Sequence, residues 1–495
     1  DISWVEELAA AAHAHTDDES LLASVTVQVG RLAVLTLRHT AVFSRLIHAA
    51  ERSAVARPAT ALDLLADAAV VRFYSGADTQ RHRLQDVLDR LPEDPSHAWS
   101  RAWVRVVSDP FGDRSELLSL LARLESEAER RPDRLTAFAV AAWLLDETPR
   151  AVRAFDEAFD RWKPHGPLPE GLGGAAAWSY VEQGRWGQAR EACARTAAVG
   201  SAAGLDHAVA CAAAVDATVL AYQGDTAAAR ARVEDVLALI DPVESRSVSV
   251  YALRALGAAA IADGAYETAY DQLRGVFTAD GTPVHYHASY PALADLAAAA
   301  ARGGRSAEAA VIVERSARAL ADSASPRLCA LVSRARALLA DPEDAEPHFR
   351  AALADPGLER WPFERAQTLL DLAEWLRRRR RVTEARGPLA KALRTFRRLG
   401  AHPWIERAGS EARAAGLDVT DPAPDALARL SPQQQQIIRL AARGLTNREI
   451  GERLFLSPRT VGSHLYRSFP KLGVAARSQL RDLVEDVPPA TGHRG

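Results

Sequence analysis

Along most of the chain apolar residues recur every three or four positions, and the strict alternation that marks a strand is nearly absent. The pattern predicts an all-α protein. Between residues 184 and 309 it also repeats. Gly184, Gly224, Gly264 and Gly304 each stand five residues before an alanine, and those alanines, Ala189, Ala229, Ala269 and Ala309, fall at a period of 40. Weaker echoes follow at Ala345 and Ala385 and precede at Ala151. Each unit reads as a helix, a tight glycine turn and a second helix whose alanine lets the pair approach closely. One such hairpin cannot bury its apolar face alone, so neighbours are expected to stack and leave a concave surface. Before about residue 110 the pattern is helical without a legible register. Trp99 and Trp103, four apart, are expected in the core there.

The repeat resembles the tetratricopeptide class, whose usual period of about 34 is shorter. The helical-repeat solenoid is expected to span 1–416, with Gly416 as a closing cap. Residues 417–429, with Pro422 and Pro424, read as a stiff linker. A compact module over 430–486 follows, then a frayed tail over 487–495.

The module holds three helix starts in quick succession. Ser431 precedes Pro432, with Gln434 three residues after the cap; Thr446 and Glu449 form a capping box; Ser457 precedes Pro458. Ile450 and Leu454 point inward from the second helix, and Val461, Leu465 and Phe469 recur every fourth residue on the third. Gly451 supplies the small residue where the two cross, and the connection is short enough for a helix-turn-helix. A fourth helix is expected near 477–484, offering Leu480 and Leu483. Arg459, Gly462, Ser463, Tyr466 and Arg467 are left on the outer face of the third helix.

Charge sharpens this picture. Residues 430–484 carry nine Lys/Arg against three Asp/Glu, a balance of +6, which leaves −9 for the rest of a chain whose net charge is −3. A basic module on an acidic body is the layout of a nucleic-acid binder. The composition, 48% hydrophobic and 25% charged, suits a packed globular protein. No run approaches the roughly 18 apolar residues of a membrane helix, and no secretory leader opens the chain. Cys193, Cys211 and Cys329 lie too far apart for a disulfide framework or a zinc pattern, so a cytoplasmic setting is expected. None of the three lysines, Lys163, Lys391 and Lys471, precedes Ser or Thr, which rules out a P-loop in this sequence. Methionine is absent, initiator included, as in a fragment, a processed chain or a sequence lacking its modified methionines.

The runs Leu445–Leu454, Leu456–Leu465 and Lys471–Val474 resemble the LuxR-type DNA-binding domain in order and spacing over about 55 residues. The resemblance implies a four-helix module whose third helix enters the major groove and whose fourth, through Arg477, Leu480 and Leu483, makes a dimer contact on DNA. It places base reading at Gly462, Ser463 and Tyr466, with Arg459 on the same face. It places phosphate contacts at Asn447, Arg448, Thr460, His464, Arg467 and Lys471. Many relatives carry lysine where Gly462 stands, so their operator cannot be borrowed, and Ala476 replaces a common Ser or Thr cap. A second resemblance covers Trp361–Arg365, Glu374–Arg378 and Leu399–Trp404, through Gly416. These runs are similar to the last repeats of the large ATP-binding LuxR regulators of actinobacteria, without the ATPase.

Other features read as structural. The five-arginine run Arg377–Arg381 sits at a helix end, where cations suit the dipole. His285 and His287 lack a third ligand and do not share a helix face, so neither a metal nor any other cofactor is expected. Trp178, Trp186, Trp361, Trp375 and Trp404 are expected as wedges between helices. No catalytic set stands out. The expectation is a non-enzymatic transcription activator. Its repeats meet a ligand or protein partner, and its C-terminal module binds a two-fold operator on double-stranded DNA as a homodimer and contacts RNA polymerase. The alternatives are an interaction scaffold with vestigial DNA binding, or a fragment of a larger ATP-dependent regulator.

Overall fold

The computed structural model describes residues 2–34, 39–161, 174–417 except 322, and 430–472 except 443 and 455, together with 474 and 480. The expected linker beyond Leu417, the tail, and Arg477 and Leu483 of the expected fourth helix lie outside the described residues. The described chain is helical; its only pairing of extended backbone is a bridge between Phe277 and Pro283. Among the described residues no helix is long and apolar enough to cross a membrane. The chain divides into two compact units, residues 1–411 and 412–495.

The first unit is a succession of helical hairpins, and the 40-residue period is visible in its backbone. Ala175–Glu182 pairs with Trp186–Ala203, Asp206–Gln223 with Thr226–Leu239, Arg246–Ala262 with Tyr266–Arg274, and Leu293–Gly303 with Ser306–Leu320. Gly184, Gly224, Gly264 and Gly304 each hold the left-handed conformation at the turn, with φ of 78°, 93°, 74° and 72°. That conformation ends one helix and aims the next back along it. The alanines five residues on are at most 1% exposed, as are Ala151, Ala345 and Ala385. The fainter repeats at Ala151 and Ala385 keep the turn but not the glycine: Asp146 and Arg380 take the left-handed conformation there, at φ of 57° and 60°.

Stacked repeats touch mainly their neighbours, but here the interior is bridged by partners far apart in sequence. Trp361 Nε1 donates to Thr148 Oγ1 at 3.1 Å across 213 residues, and Arg327 reaches Asp146 at 3.0 Å across 181, four to five periods of 40. At these positions the unit's own side chains span the interior between distant hairpins. Arg327, at the start of Pro326–Leu339, bonds Asp146, Glu182 and Glu364 at 3.0, 2.8 and 2.6 Å. A second cluster joins Arg302, Arg334 and Arg407 to Asp371 and Glu374. Burial alone would raise the Asp371 carboxyl, but Arg334, Arg407 and Arg302 hold it down at about 2.

Trp178, Trp186, Trp361 and Trp404 are buried wedges as expected, and Trp375 is half-buried. Trp103 donates from Nε1 to the Ala137 carbonyl at 2.8 Å, and Arg134 lies over the half-buried Trp99. Four arginines of the five-arginine run pair with carboxylates, Arg379 with Glu343 among them. Arg377 meets Glu411, Arg378 meets Glu374, and Arg381 meets both Glu346 and Glu384.

After Arg274 the chain leaves the helical pattern until Tyr290 and turns His285, Tyr286 and His287 inward. The His285 ring meets the Phe73 carbonyl, Arg72 lies over the Tyr286 ring, and His287 packs on Trp143. These histidines anchor the loop to the helix Pro58–Ser75, more than two hundred residues away. Burial lowers both from 6.5, His285 to about 3 and His287 to about 4. Below pH 6.5 the unfolded chain takes up protons that the folded one refuses. The stability contributed by the neutral rings is therefore complete above pH 6.5 and lost as pH falls toward 4. With two groups the slope reaches at most about 2.7 kcal/mol per pH unit. Thermal melts from pH 7.5 to 5 should show it, and His287→Gln should roughly halve the slope. An unchanged slope in that variant would assign the acid sensitivity elsewhere.

Candidate nucleic-acid interface

The second unit carries the helices Pro432–Ala442, Asn447–Leu454 and Pro458–Leu472. Each begins on a side-chain cap, as the sequence predicts. The Gln434 N–H donates to Ser431 Oγ at 3.3 Å while the Ser431 N–H donates to Gln434 Oε1 at 3.1 Å. At the second helix the Glu449 N–H donates to Thr446 Oγ1 at 3.3 Å, and the Thr446 N–H returns to Glu449 Oε2 at 2.7 Å. Those Thr446 bonds lower the Glu449 carboxyl below its ordinary range. At the third, the Thr460 N–H donates to Ser457 Oγ at 3.0 Å.

Ile437, Ile438, Ile450, Val461, Leu465, Leu472 and Leu480 form the core, with Leu454 and Phe469 packed on its margin. The turn between the second and third helices passes over Gly451, where a Cβ would lie 2.5 Å from the Leu456 carbonyl oxygen. No rotamer change relieves a clash with backbone, so any larger residue there must open the turn. The angle between the two helices thus depends on one missing side chain.

With Val461, Leu465 and Ser468 turned inward, Arg459, Gly462, Ser463, Tyr466 and Arg467 fall on one stripe of the third helix, at i, i+3, i+4, i+7 and i+8. Arg459, Ser463, Tyr466 and Arg467 are exposed, Tyr466 at 81%. The third helix contains no carboxylate. Gly462 is half-buried, and a Cβ on it would lie 3.5 Å from Asn447 Nδ2, so the start of the second helix lies beside this stripe.

The expected phosphate-contact residues are less uniform. Thr460 and His464 are half-buried at the edge of the stripe, and His464 Nδ1 is shut in without a hydrogen-bond partner. Arg448 is exposed and pairs with Glu452 at 3.1 Å, a surface contact worth little and easily exchanged for a phosphate. The sequence reading did not anticipate that pairing, although the four-residue spacing contains it. The Lys471 side chain lies outside the described residues; Leu480 is buried in the core rather than displayed. Among the described residues no group of three His, Cys, Asp or Glu could hold a metal ion.

Three capped helices, a glycine at their crossing and a carboxylate-free basic stripe define a helix-turn-helix module. Residues 428–484 match the family described as bacterial regulatory proteins, luxR family, and the C-terminal domain belongs to it. An HTH-type transcriptional regulator of Mycobacterium bovis is 49% identical over 53 residues, which are 11% of this chain and 6% of that protein. The DNA-binding transcriptional activator DevR/DosR of Mycobacterium tuberculosis is 35% identical over 72 residues, 14% of this chain and 33% of that one. The chain thus spans only a small part of the curated relatives it matches. Among solved structures, a Rap protein complexed with competence and sporulation factor aligns over 72% of this chain and 98% of its own, at 11% identity and a TM-score of 0.42. The tetratricopeptide domain of P58(IPK) aligns over 75% and 99%, at 13% and 0.19.

Proposed function

We propose that this chain is a transcription regulator that binds double-stranded DNA through residues 430–486 and is controlled through its helical repeats. The observation that carries the reading is the stripe Arg459, Ser463, Tyr466 and Arg467, exposed and free of carboxylates on the third helix of a LuxR-family domain. A helix presented in this way suits the major groove: tyrosine and serine meet base edges, and arginine meets bases or phosphates. In this reading the module pairs with a second copy on a two-fold operator and acts as an activator through RNA polymerase. The similarity to DevR/DosR, itself named an activator, supports that sense of regulation.

The test is selection of bound fragments from a genomic library by the full chain at fixed, near-physiological salt, because phosphate contacts alone give salt-dependent binding without specificity. Enrichment of one inverted repeat is expected. Enrichment of fragments without a shared sequence would leave a helix-turn-helix that is not a specific regulator. Such a result would favour the scaffold reading, in which the repeats carry the biological role.

A further inference from the structure

The interior of the first unit is not completely filled. A cavity lies between Trp143, Trp178, Tyr222, Tyr251 and Phe363, contributed by five different helices. Their rings line it closely: Trp178 and Tyr251 have centroids 4.4 Å apart, Tyr222 and Phe363 4.3 Å. About 40 Å³ is open to the centre of a water-sized sphere, room for a few waters or one small ring and too little for a folded peptide.

The polar groups of its wall divide sharply. The acceptors are already used: Asp146, Glu182 and Glu364 all bind Arg327, and Glu182 also accepts from Trp143 Nε1 at 3.3 Å and Thr148 Oγ1 at 3.0 Å. The donors are not. Arg254 gives one hydrogen bond, from Nη1 to the Ala288 carbonyl at 3.1 Å, and lies over the Trp178 and Tyr251 rings at 5.6 and 5.5 Å. No carboxylate of the described residues comes within ion-pair distance of it. The hydroxyls of Tyr222 and Tyr251 have no partner among the described residues, and desolvation raises both phenols, which keeps them protonated donors. His287, 8% exposed, also lines the cavity, and its unpartnered Nδ1 donates or accepts according to the tautomer of the neutral ring. A wall with spare arginine and phenol donors and committed carboxylates is incomplete until something brings acceptors to it.

We propose that this cavity binds a small organic carboxylate carrying one apolar ring, the carboxylate on Arg254 with the Tyr222 and Tyr251 hydroxyls and the ring among the aromatic walls. The site would be the ligand-sensing centre of the repeats under the regulator reading, but its occupancy does not depend on DNA. A cationic ligand is disfavoured because it would face the Arg254 guanidinium, which an anion instead neutralises.

The experiment is calorimetric titration of the full chain with benzoate, phenylacetate and 3-phenylpropionate, with benzylamine as the cationic counterpart. At least one of the three acids should bind with one-to-one stoichiometry while benzylamine does not. Arg254→Gln should weaken binding at least tenfold. Tyr222→Phe removes only a hydroxyl and should weaken it several-fold with an unchanged melting temperature, so it decides the matter if the arginine variant misfolds. Binding of none of the acids, tighter binding of benzylamine, or affinity indifferent to both substitutions would each overturn the proposal. Titration of the operator with and without the bound acid reads the coupling separately. An acid that binds a chain with no DNA affinity sinks the regulator reading and leaves the site standing.

Discussion

Arg327→Ala is expected to destabilise the first unit by about 3–5 kcal/mol, the range for removing one partner from a buried charge cluster. The guanidinium is 5% exposed and the carboxylates of Asp146 and Glu182 only 11% and 8%. Without it, three carboxylates from three separate hairpins face one another with no counter-charge. Burial already raises the Glu182 carboxyl, Arg327 lowers it, and Asp146 and Glu364 raise it again, so deleting Arg327 removes the main restraint on that rise. The deficit should therefore shrink as pH falls and the orphaned carboxylates take up protons. Melting of wild type and variant at pH 7.5 and 5.5 measures it, the difference between the two proteins cancelling the histidine contribution. Adding Glu182→Gln and Glu364→Gln to Arg327→Met should recover part of the loss. A deficit below about 1 kcal/mol at pH 7.5 would mean that water already solvates the cluster.

The second large effect falls on DNA. Tyr466→Ala with Arg467→Ala should lower affinity for the selected operator on the order of a hundredfold or more, from contacts worth about 1–3 kcal/mol each. Both side chains are exposed and outside the core, so the melting temperature should not move. The single variants separate two roles. Arg467→Ala should weaken binding to all sequences and make the salt dependence shallower by about one ion, whereas Tyr466→Ala should relax sequence preference at fixed salt. Anisotropy titrations across a salt series give both quantities. Retention of full operator affinity by the double variant would mean that the exposed stripe is not the reading surface.

The DNA-binding module was legible because everything that builds it is local. Ser431, Thr446 and Ser457 bond groups three residues away, and Gly451 meets Leu456 within one turn. A linear reading captures such spacings directly. The repeat turns were legible for the same reason, and even Asp146 and Arg380 can be found once the five-residue offset to Ala151 and Ala385 is applied. The interior of the repeats was not legible. The sequence shows His285 only as a close neighbour of His287 without a third metal ligand, and its role became visible only through Phe73, 212 positions earlier. Arg327 was one arginine among dozens until Asp146, Glu182 and Glu364 met around it. No local spacing encodes a contact that depends on how many degrees each of five repeats turns.

Those long bridges also bear on how the protein comes apart. An array held only by nearest neighbours frays from its ends, one unit at a time, and tolerates the loss of a terminal repeat. Here the turn at Asp146–Thr148 shares an ion pair with Arg327 and a hydrogen bond with Trp361, so losing the later of these repeats removes counter-charge and packing from the earlier one. Closing such loops is slow in an unfolded chain. The same closure should make the repeats melt as one body, so that a change at one position in the stack is felt by hairpins that are strangers in sequence.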